Sequence, residues 1–265
     1  MHDYPVEVEA LVARYGPRTI LKGVDMQVAP GEVRVVLGGS GSGKSTLLKH
    51  VIGLLKPADG VVRLLGTDLG AADEPERNAV LTRIGMLFQG GALLNSLTVA
   101  DNVALPLRSN SDLPESIVRE VVRMKLALVD LSHAIDLFPP ELSGGMKKRA
   151  ALARAMAFDP DVLFCDEPSA GLDPITAADL DRLLLGLRDR FGMALVVVTH
   201  ELASVETIAD RVTMLDHGRV LVDGTLEEAR RFDHPWVRAF FDRVGTQSDG
   251  DRRSVLDAIS AGGAA

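Results

Sequence analysis

The chain has 265 residues, of which 46% are hydrophobic and 25% charged, enough apolar material for a large α/β core. Its 37 acidic residues outnumber the 29 basic ones, a net charge of -8, which argues against a protein built to coat nucleic acid, where clustered Lys and Arg are required. The single cysteine, Cys165, excludes an internal disulfide and suits a reducing compartment; set in the apolar run from Val162, it reads as a small buried hydrophobe.

Met1 to Pro5 show neither a basic nor an apolar leader region, so no signal peptide is read there. The apolar runs Val33 to Leu37 and Ala194 to Val198 fall far short of the ~20 residues that a spanning helix needs, so a membrane role is expected to come through a partner. Val6 to Leu37 read as short strands, punctuated by Gly16-Pro17 and Pro30-Gly31, with Val33 to Leu37 as a buried strand running into a glycine-rich loop. Thr46 to Leu55 predict a helix closed by Lys56-Pro57 and Gly60. From about Gly90 to Pro160 the pattern is mostly helical, with one helix starting at Leu113-Pro114-Glu115 and running to Leu128, and another from Gly144 to Phe158. Strand and helix then alternate through Val162–Cys165, Ile175–Arg190, Ala194–Thr199, Leu202–Ala209 and Arg211–Asp216. That order implies βαβ units and a mainly parallel sheet, with the helical block inserted into it. Val237, Phe240, Phe241 and Val244 form one helical stripe, which would pack either on its own domain or on a partner. Residues beyond Val244 are rich in Gly, Ser, Asp and Ala and read as a flexible tail, and no internal repeat is found.

Gly38-Gly39-Ser40-Gly41-Ser42-Gly43-Lys44-Ser45 satisfies G-x-x-x-x-G-K-[ST] between a strand and a helix that begins at Thr46. Glycines let consecutive backbone N–H groups turn inward around a phosphate, and the helix N-terminus adds free donors and a positive dipole end. Lys44 would bridge the terminal phosphates of a nucleotide, and the Ser45 hydroxyl would ligate Mg²⁺. Val162 to Cys165 end in Asp166-Glu167. At the carboxyl end of a strand, Asp166 would face that Mg²⁺ and Glu167 would act as general base for the attacking water; alone, such a pair could equally be a solvated turn.

Leu142-Ser143-Gly144-Gly145-Met146 resembles the LSGGQ signature of ABC ATPases, and the remaining motifs fall in that family's order. Tyr15 resembles the aromatic residue that stacks on adenine, although a Tyr before Gly16-Pro17 could also pack on its turn. Gln89 is similar to the Q-loop glutamine, Ser169 to Asp173 to the D-loop, and Thr199-His200 to the switch histidine. The resemblance spans about residues 6 to 230. It implies a P-loop NTPase with a RecA-like core, an N-terminal antiparallel β subdomain and a helical subdomain at about 91–158, within an ATPase domain of 1–243 and a tail of 244–265. It further implies that two copies sandwich ATP and Mg²⁺. Tyr15 and residues 38–46 of one copy would bind the nucleotide against Ser143, Gly144, Gly145, Met146 and Asp173 of the other. Gln89 would ligate Mg²⁺ or water, and His200 would steady Glu167.

Met146 departs from the usual Gln of the signature. Leu142 to Ala155, Phe88 to Val99 and Gly171 to Thr176 are similar to the ATPase of Mla-type (MCE-associated) phospholipid transporters, though Met at an early helix position is also a tolerated exchange. That subfamily implies a multi-span permease docked beside Gln89, with Leu93, Leu94 and Leu97 as candidate contacts, a lipid-binding MCE protein and a STAS-domain protein. It implies no nucleic acid, and a place on the cytoplasmic face of a bacterial inner membrane. One cassette, no heptad run and an acidic balance set aside the ABC ATPases that act on ribosomes or DNA.

Overall fold

The computed structural model describes residues 4–242; the expected tail at 244–265 and Val244 of the C-terminal stripe lie outside them. In chain order the elements are β1 (Val6–Tyr15), β2 (Arg18–Val28), β3 (Val33–Gly38), α1 (Lys44–Val51), β4 (Asp59–Leu64), β5 (Thr67–Asp68), α2 (Glu74–Leu81), β6 (Ile84–Leu87), α3 (Val99–Asn110), α4 (Glu115–Leu128), α5 (Gly144–Ala155), β7 (Val162–Asp166), α6 (Pro174–Phe191), β8 (Ala194–Val198), α7 (Leu202–Ile208), β9 (Arg211–Asp216), β10 (Arg219–Thr225), α8 (Leu226–Arg231) and α9 (Pro235–Phe241). The strands form two sheets. One is antiparallel, in the order β2-β1-β4-β5. The other runs β10-β9-β3-β8-β7-β6 and is parallel except for β10.

The β3, β7 and β8 strands are apolar with scarcely a polar interruption, as strands covered on both faces must be. Their alternation assigns each residue to a layer. Val33, Val35, Leu37, Leu163, Cys165, Leu195 and Val197 pack against the helices α3 to α9. Val36, Val162, Phe164, Val196 and Val198 pack against β1, β2, β4 and α1. The one charged exception on β3, Arg34, is buried and fully engaged: it bonds Glu32, Asp223, Thr213 and the Gln27 carbonyl. Cys165 is buried, and burial pushes its thiol well above the usual range, in line with the expected small hydrophobe.

Several boundaries differ from the sequence reading for identifiable reasons. Within 6–37, where short strands are expected, β1 and β2 are long, because a bulge at Ala10, in the left-handed region at φ 46°, shifts the alternation in mid-strand. Val6 and Val8 are buried before it, Leu11 and Ala13 after it. The first helix begins at Lys44 and ends at Val51, short of Leu55, because Gly53 turns left-handed and Leu54 and Leu55 both bond back to the Lys49 carbonyl. The signature helix α5 stops at Ala155 rather than Phe158. The β10 strand pairs antiparallel with β9 through the His217-Gly218 turn, a hairpin absent from the sequence reading. On α9 the apolar stripe packs on its own domain: Val237 is buried, and Trp236, Phe240 and Phe241 lie against the main core. A Cβ placed on Gly39 would lie 4.0 Å from the Trp236 Nε1.

The Gly218 turn joins three regions of the fold. Its carbonyl accepts from Lys22 N–H (2.8 Å) and its N–H donates to the Ser42 carbonyl (3.1 Å). With φ at +79°, a Cβ on Gly218 would come within 1.9 Å of the Ile20 carbonyl oxygen. Gly218→Ala is therefore expected to cost on the order of 1–3 kcal/mol through strain and displacement of β2. Urea unfolding checks this; an unchanged midpoint would show that the turn tolerates a side chain.

Candidate functional site

Parallel strands deliver the loops that follow them to one edge of the sheet, and here four such loops carry the residues singled out by the sequence. Residues 38–45 follow β3, Gln89 follows β6, Asp166 and Glu167 end β7, and Thr199-His200 follow β8.

The 38–45 loop is wedged between β2 and β9. A Cβ on Gly38 would meet the Leu215 carbonyl at 2.6 Å, and one on Gly43, at φ +111°, would meet Leu21 Cδ2 at 2.6 Å. Gly43 precedes α1, so the loop opens directly onto a helix N-terminus. Ser40, Gly41 and Ser45 are exposed, Gly39 and Thr46 half-buried, and Ser42 is buried with its hydroxyl unpartnered among the described residues. Lys44 folds back across the loop and donates to the carbonyls of Gly38 (2.7 Å) and Gly39 (3.1 Å). Burial lowers its pKa, while the charges of Glu167 and Asp166 act in the opposite sense.

Asp166 is half-buried, and its carboxyl is pushed up first by burial and then by the neighbouring Glu167 charge, with Lys44 opposing. Glu167 sits in the left-handed region (φ 48°), a conformation that costs a non-glycine residue ~1–3 kcal/mol unless its surroundings enforce it. They do so here: its N–H donates to the Val198 carbonyl (2.8 Å) and its carbonyl accepts from Lys148 Nζ (3.1 Å). Its Oε1 lies 2.8 Å from His200 Nδ1, and its Oε2 is buried with no hydrogen-bond partner among the described residues. His200 itself is 64% exposed.

Gln89 is exposed two residues past β6, and its carbonyl accepts from Lys148. Tyr15 ends β1 at the β1–β2 hairpin and is 48% exposed. The signature residues form a second cluster. Ser143 caps α5, its hydroxyl accepting from Met146 N–H (3.2 Å), and Met146 is half-buried against the core. A Cβ on Gly145 would lie 2.6 Å from Thr176 Cγ2, and one on Gly144 3.5 Å from Leu172 Cδ2, so the motif rests on the start of α6. Asp173 caps that helix, accepting from the N–H groups of Ile175 and Thr176 and from the Thr176 hydroxyl, which holds its carboxyl below the usual range. Among the described residues no hydrogen bond joins residues 143–146 to residues 38–46. Nor do any three His, Cys, Asp or Glu residues there gather as a metal site. A one- or two-oxygen set such as Ser45 and Asp166, completed by phosphate, nevertheless suits Mg²⁺, which keeps waters and substrate oxygens as ligands.

Two features escaped the sequence reading. Lys148 passes as one member of a basic run, yet Ala151 and Leu152, three and four residues on, are buried, so helical spacing places it on the inward face. Asp181 lies in the buried stripe Ala177, Asp181, Leu184 of α6, 2% exposed, with one oxygen unpartnered among the described residues.

Residues 21–170 match the sequence profile of the family described as ABC transporter. The chain is 40% identical over 242 residues to the probable ribonucleotide transport ATP-binding protein mkl of Mycobacterium tuberculosis, covering 91% of this chain and 67% of that protein. It is 40% identical over 228 residues to the intermembrane phospholipid transport system ATP-binding protein MlaF of Haemophilus influenzae, covering 86% of each, and 39% identical to that of Escherichia coli K12, covering 86% of this chain and 85% of that protein. Among solved structures it is similar to cbiO1 of Clostridium perfringens, part of the ABC transporter complex cbiONQ, with a TM-score of 0.79 and 33% identity over 86% of this chain and 90% of that one. The dimeric cassette MJ0796, in a post-hydrolysis state with ADP and Pi, is similar with a TM-score of 0.75 and 30% identity over 83% of this chain and 98% of that one.

Burial raises the Asp181 carboxyl above its value in the unfolded chain. A raised carboxyl pKa stabilises the fold at pH below the unfolded value, and that benefit is lost as pH climbs through the folded one. Asp181→Asn should therefore gain stability relative to the parent as pH rises from about 4, the unfolded value. Denaturant midpoints across pH measure this; a difference that stays flat with pH would refute it.

Proposed function

Since the chain belongs to the ABC transporter family and is an ATP-hydrolysing subunit of that kind, we propose that it powers phospholipid movement through a separate permease, with catalysis centred on Glu167. The observation that carries the catalytic reading is the Glu167–His200 contact at 2.8 Å, with the second carboxylate oxygen of Glu167 unpartnered in a buried setting. That oxygen has no competing partner, and it would take the proton of a water admitted beside it. His200 holds the other oxygen and reaches toward the terminal phosphate. Residues 38–46 hold the phosphates through backbone N–H groups and the α1 N-terminus, with Lys44 exchanging the Gly38 and Gly39 carbonyls for phosphate oxygens, and Tyr15 stacks on the base. Ser45 and Asp166, with Gln89, would hold Mg²⁺, which when bound neutralises charge on the phosphates. Burial and the Glu167 charge raise the Asp166 carboxyl despite the opposing lysines, so a cation bound beside it would favour its ionised form.

The signature cluster of Ser143, Gly144, Gly145, Met146 and Asp173 serves a nucleotide on a second copy. Two things support this: no hydrogen bond joins it to the phosphate loop within the described residues, and the similar cassette MJ0796 is dimeric. Among the described residues no helix is long and apolar enough to cross a membrane, so the membrane component of the machine would be a multi-span permease. A cavity of about 680 Å³, lined by Phe88, Leu94, Leu105, Pro106 and Arg154 beside Gln89, suits its cytoplasmic helices. Leu94 lines it and is exposed, whereas Leu93 packs against the core. The ATPase domain spans 1–243 with its helical subdomain at about 91–158. The assembly sits on the cytoplasmic face of a bacterial inner membrane with an MCE-type lipid-binding protein and a STAS-domain protein. Similarity to MlaF supports the phospholipid cargo.

Glu167→Gln is expected to bind ATP, lose turnover by about 10²–10⁴-fold and accumulate as a closed dimer. A phosphate-release assay and light scattering measure this, and normal turnover would remove Glu167 as the base. Purification from bacterial membranes is expected to recover the permease and an MCE-type protein, with phospholipid found by mass spectrometry. A soluble receptor for amino acids or metal ions in their place would overturn the lipid assignment.

A further inference from the structure

Lys148 is 6% exposed, on the face of α5 that enters the core. A buried ammonium requires partners, and no carboxylate among the described residues pairs with Lys148. Instead Nζ donates to two main-chain carbonyls, those of Gln89 (2.5 Å) and Glu167 (3.1 Å). These carbonyls leave neighbouring parallel strands, β6 and β7, in register from Ile84 and Val162 to Leu87 and Cys165. One cation thus ties the loop of Gln89 to the residue whose backbone is held left-handed. A second cation of the same helix, Arg154, donates to the carbonyls of Gly91 (2.7 Å) and Ala92 (2.6 Å), so α5 grips the 89–92 loop at both ends. That loop borders the cavity lined by Phe88, Ala92 and Leu94.

We propose that Lys148 is a positioning residue for ATP hydrolysis: by bonding the Gln89 and Glu167 carbonyls together it sets the backbone of the general base and makes its placement depend on the position of the 89–92 loop. This rests on the reading of Glu167 as the base. The mechanism needs donors at the end of a long side chain. Methionine matches the length without donors, and arginine keeps the donors. A displacement of the order of 1 Å at a catalytic group costs up to about a hundredfold in rate, whereas nucleotide binding, governed by the phosphate loop and Tyr15, is untouched by it.

The test measures kcat, KM, ATP affinity by calorimetry and thermal unfolding on the full chain, for the parent, Lys148→Met, Lys148→Arg and Glu167→Gln. Lys148→Met is expected to lose about tenfold to a hundredfold in kcat with ATP affinity within about threefold of the parent, and Lys148→Arg to recover most of the rate. If Lys148→Met does not fold, Lys148→Leu, which also lacks donors, is judged on the same terms. Parental kcat in the folded variant overturns the proposal, as does a loss in Lys148→Arg equal to that in Lys148→Met, or a loss that follows the unfolded fraction. Turnover surviving in Glu167→Gln overturns the catalytic reading and the proposal with it. Turnover lost there but kept in Lys148→Met overturns the proposal alone.

Discussion

Parallel strand pairing is the constraint on which the site depends. Because β3, β8, β7 and β6 run side by side in one direction, the peptides that follow them emerge at a single edge. Glu167 and His200 are far apart in sequence, yet the pairing of Asp166 with Val198 leaves their side chains in contact. The glycine loop after β3 joins them through the neighbouring β3–β8 ladder. None of these loops could be moved to another edge without reversing a strand, and the apolar layers on both faces of the sheet lock the direction of each.

Within that frame one cation and two carboxylates share a half-buried setting. Lys44 lies in a half-buried setting with Asp166 and Glu167 near enough to offset some of its desolvation. Lys44, Lys49 and Lys148 oppose the shift of Asp166, but burial and the Glu167 charge outweigh them. A half-buried ammonium and carboxylate so placed would each gain from an incoming opposite charge, which would offset part of their desolvation. The left-handed Glu167 backbone is held from within the chain, by bonds to β8 and to α5.

Much of this was legible in the residues. The glycine loop, the acidic pair and His200 each follow an apolar strand, and apolar runs are the strongest local signal available. The full length of β1 was not, since the bulge at Ala10 breaks the period of two that identifies a continuous strand. The segment 59–87 was unreadable for a related reason. Its strands are two to six residues long, and one helix, α2, depends on a capping box of Asp73 and Glu76 more than on an apolar stripe. Lys148 was hidden by type: lysine inside a basic run signals a solvated face, and only the burial of its helical neighbours contradicts that. The partition of the motifs into two clusters is a three-dimensional fact to which no spacing in the chain points.

The C-terminal helix carries a consequence of another kind. The chain has one tryptophan, and α9 brings the indole nitrogen of Trp236 to the back of the glycine loop at Gly39, stacked on Phe240 at 6.0 Å. Indole emission responds to the polarity and mobility of its surroundings, and here a single fluorophore reports from a single place. The protein therefore contains its own label-free optical gauge of the glycine loop, free of background from any second tryptophan.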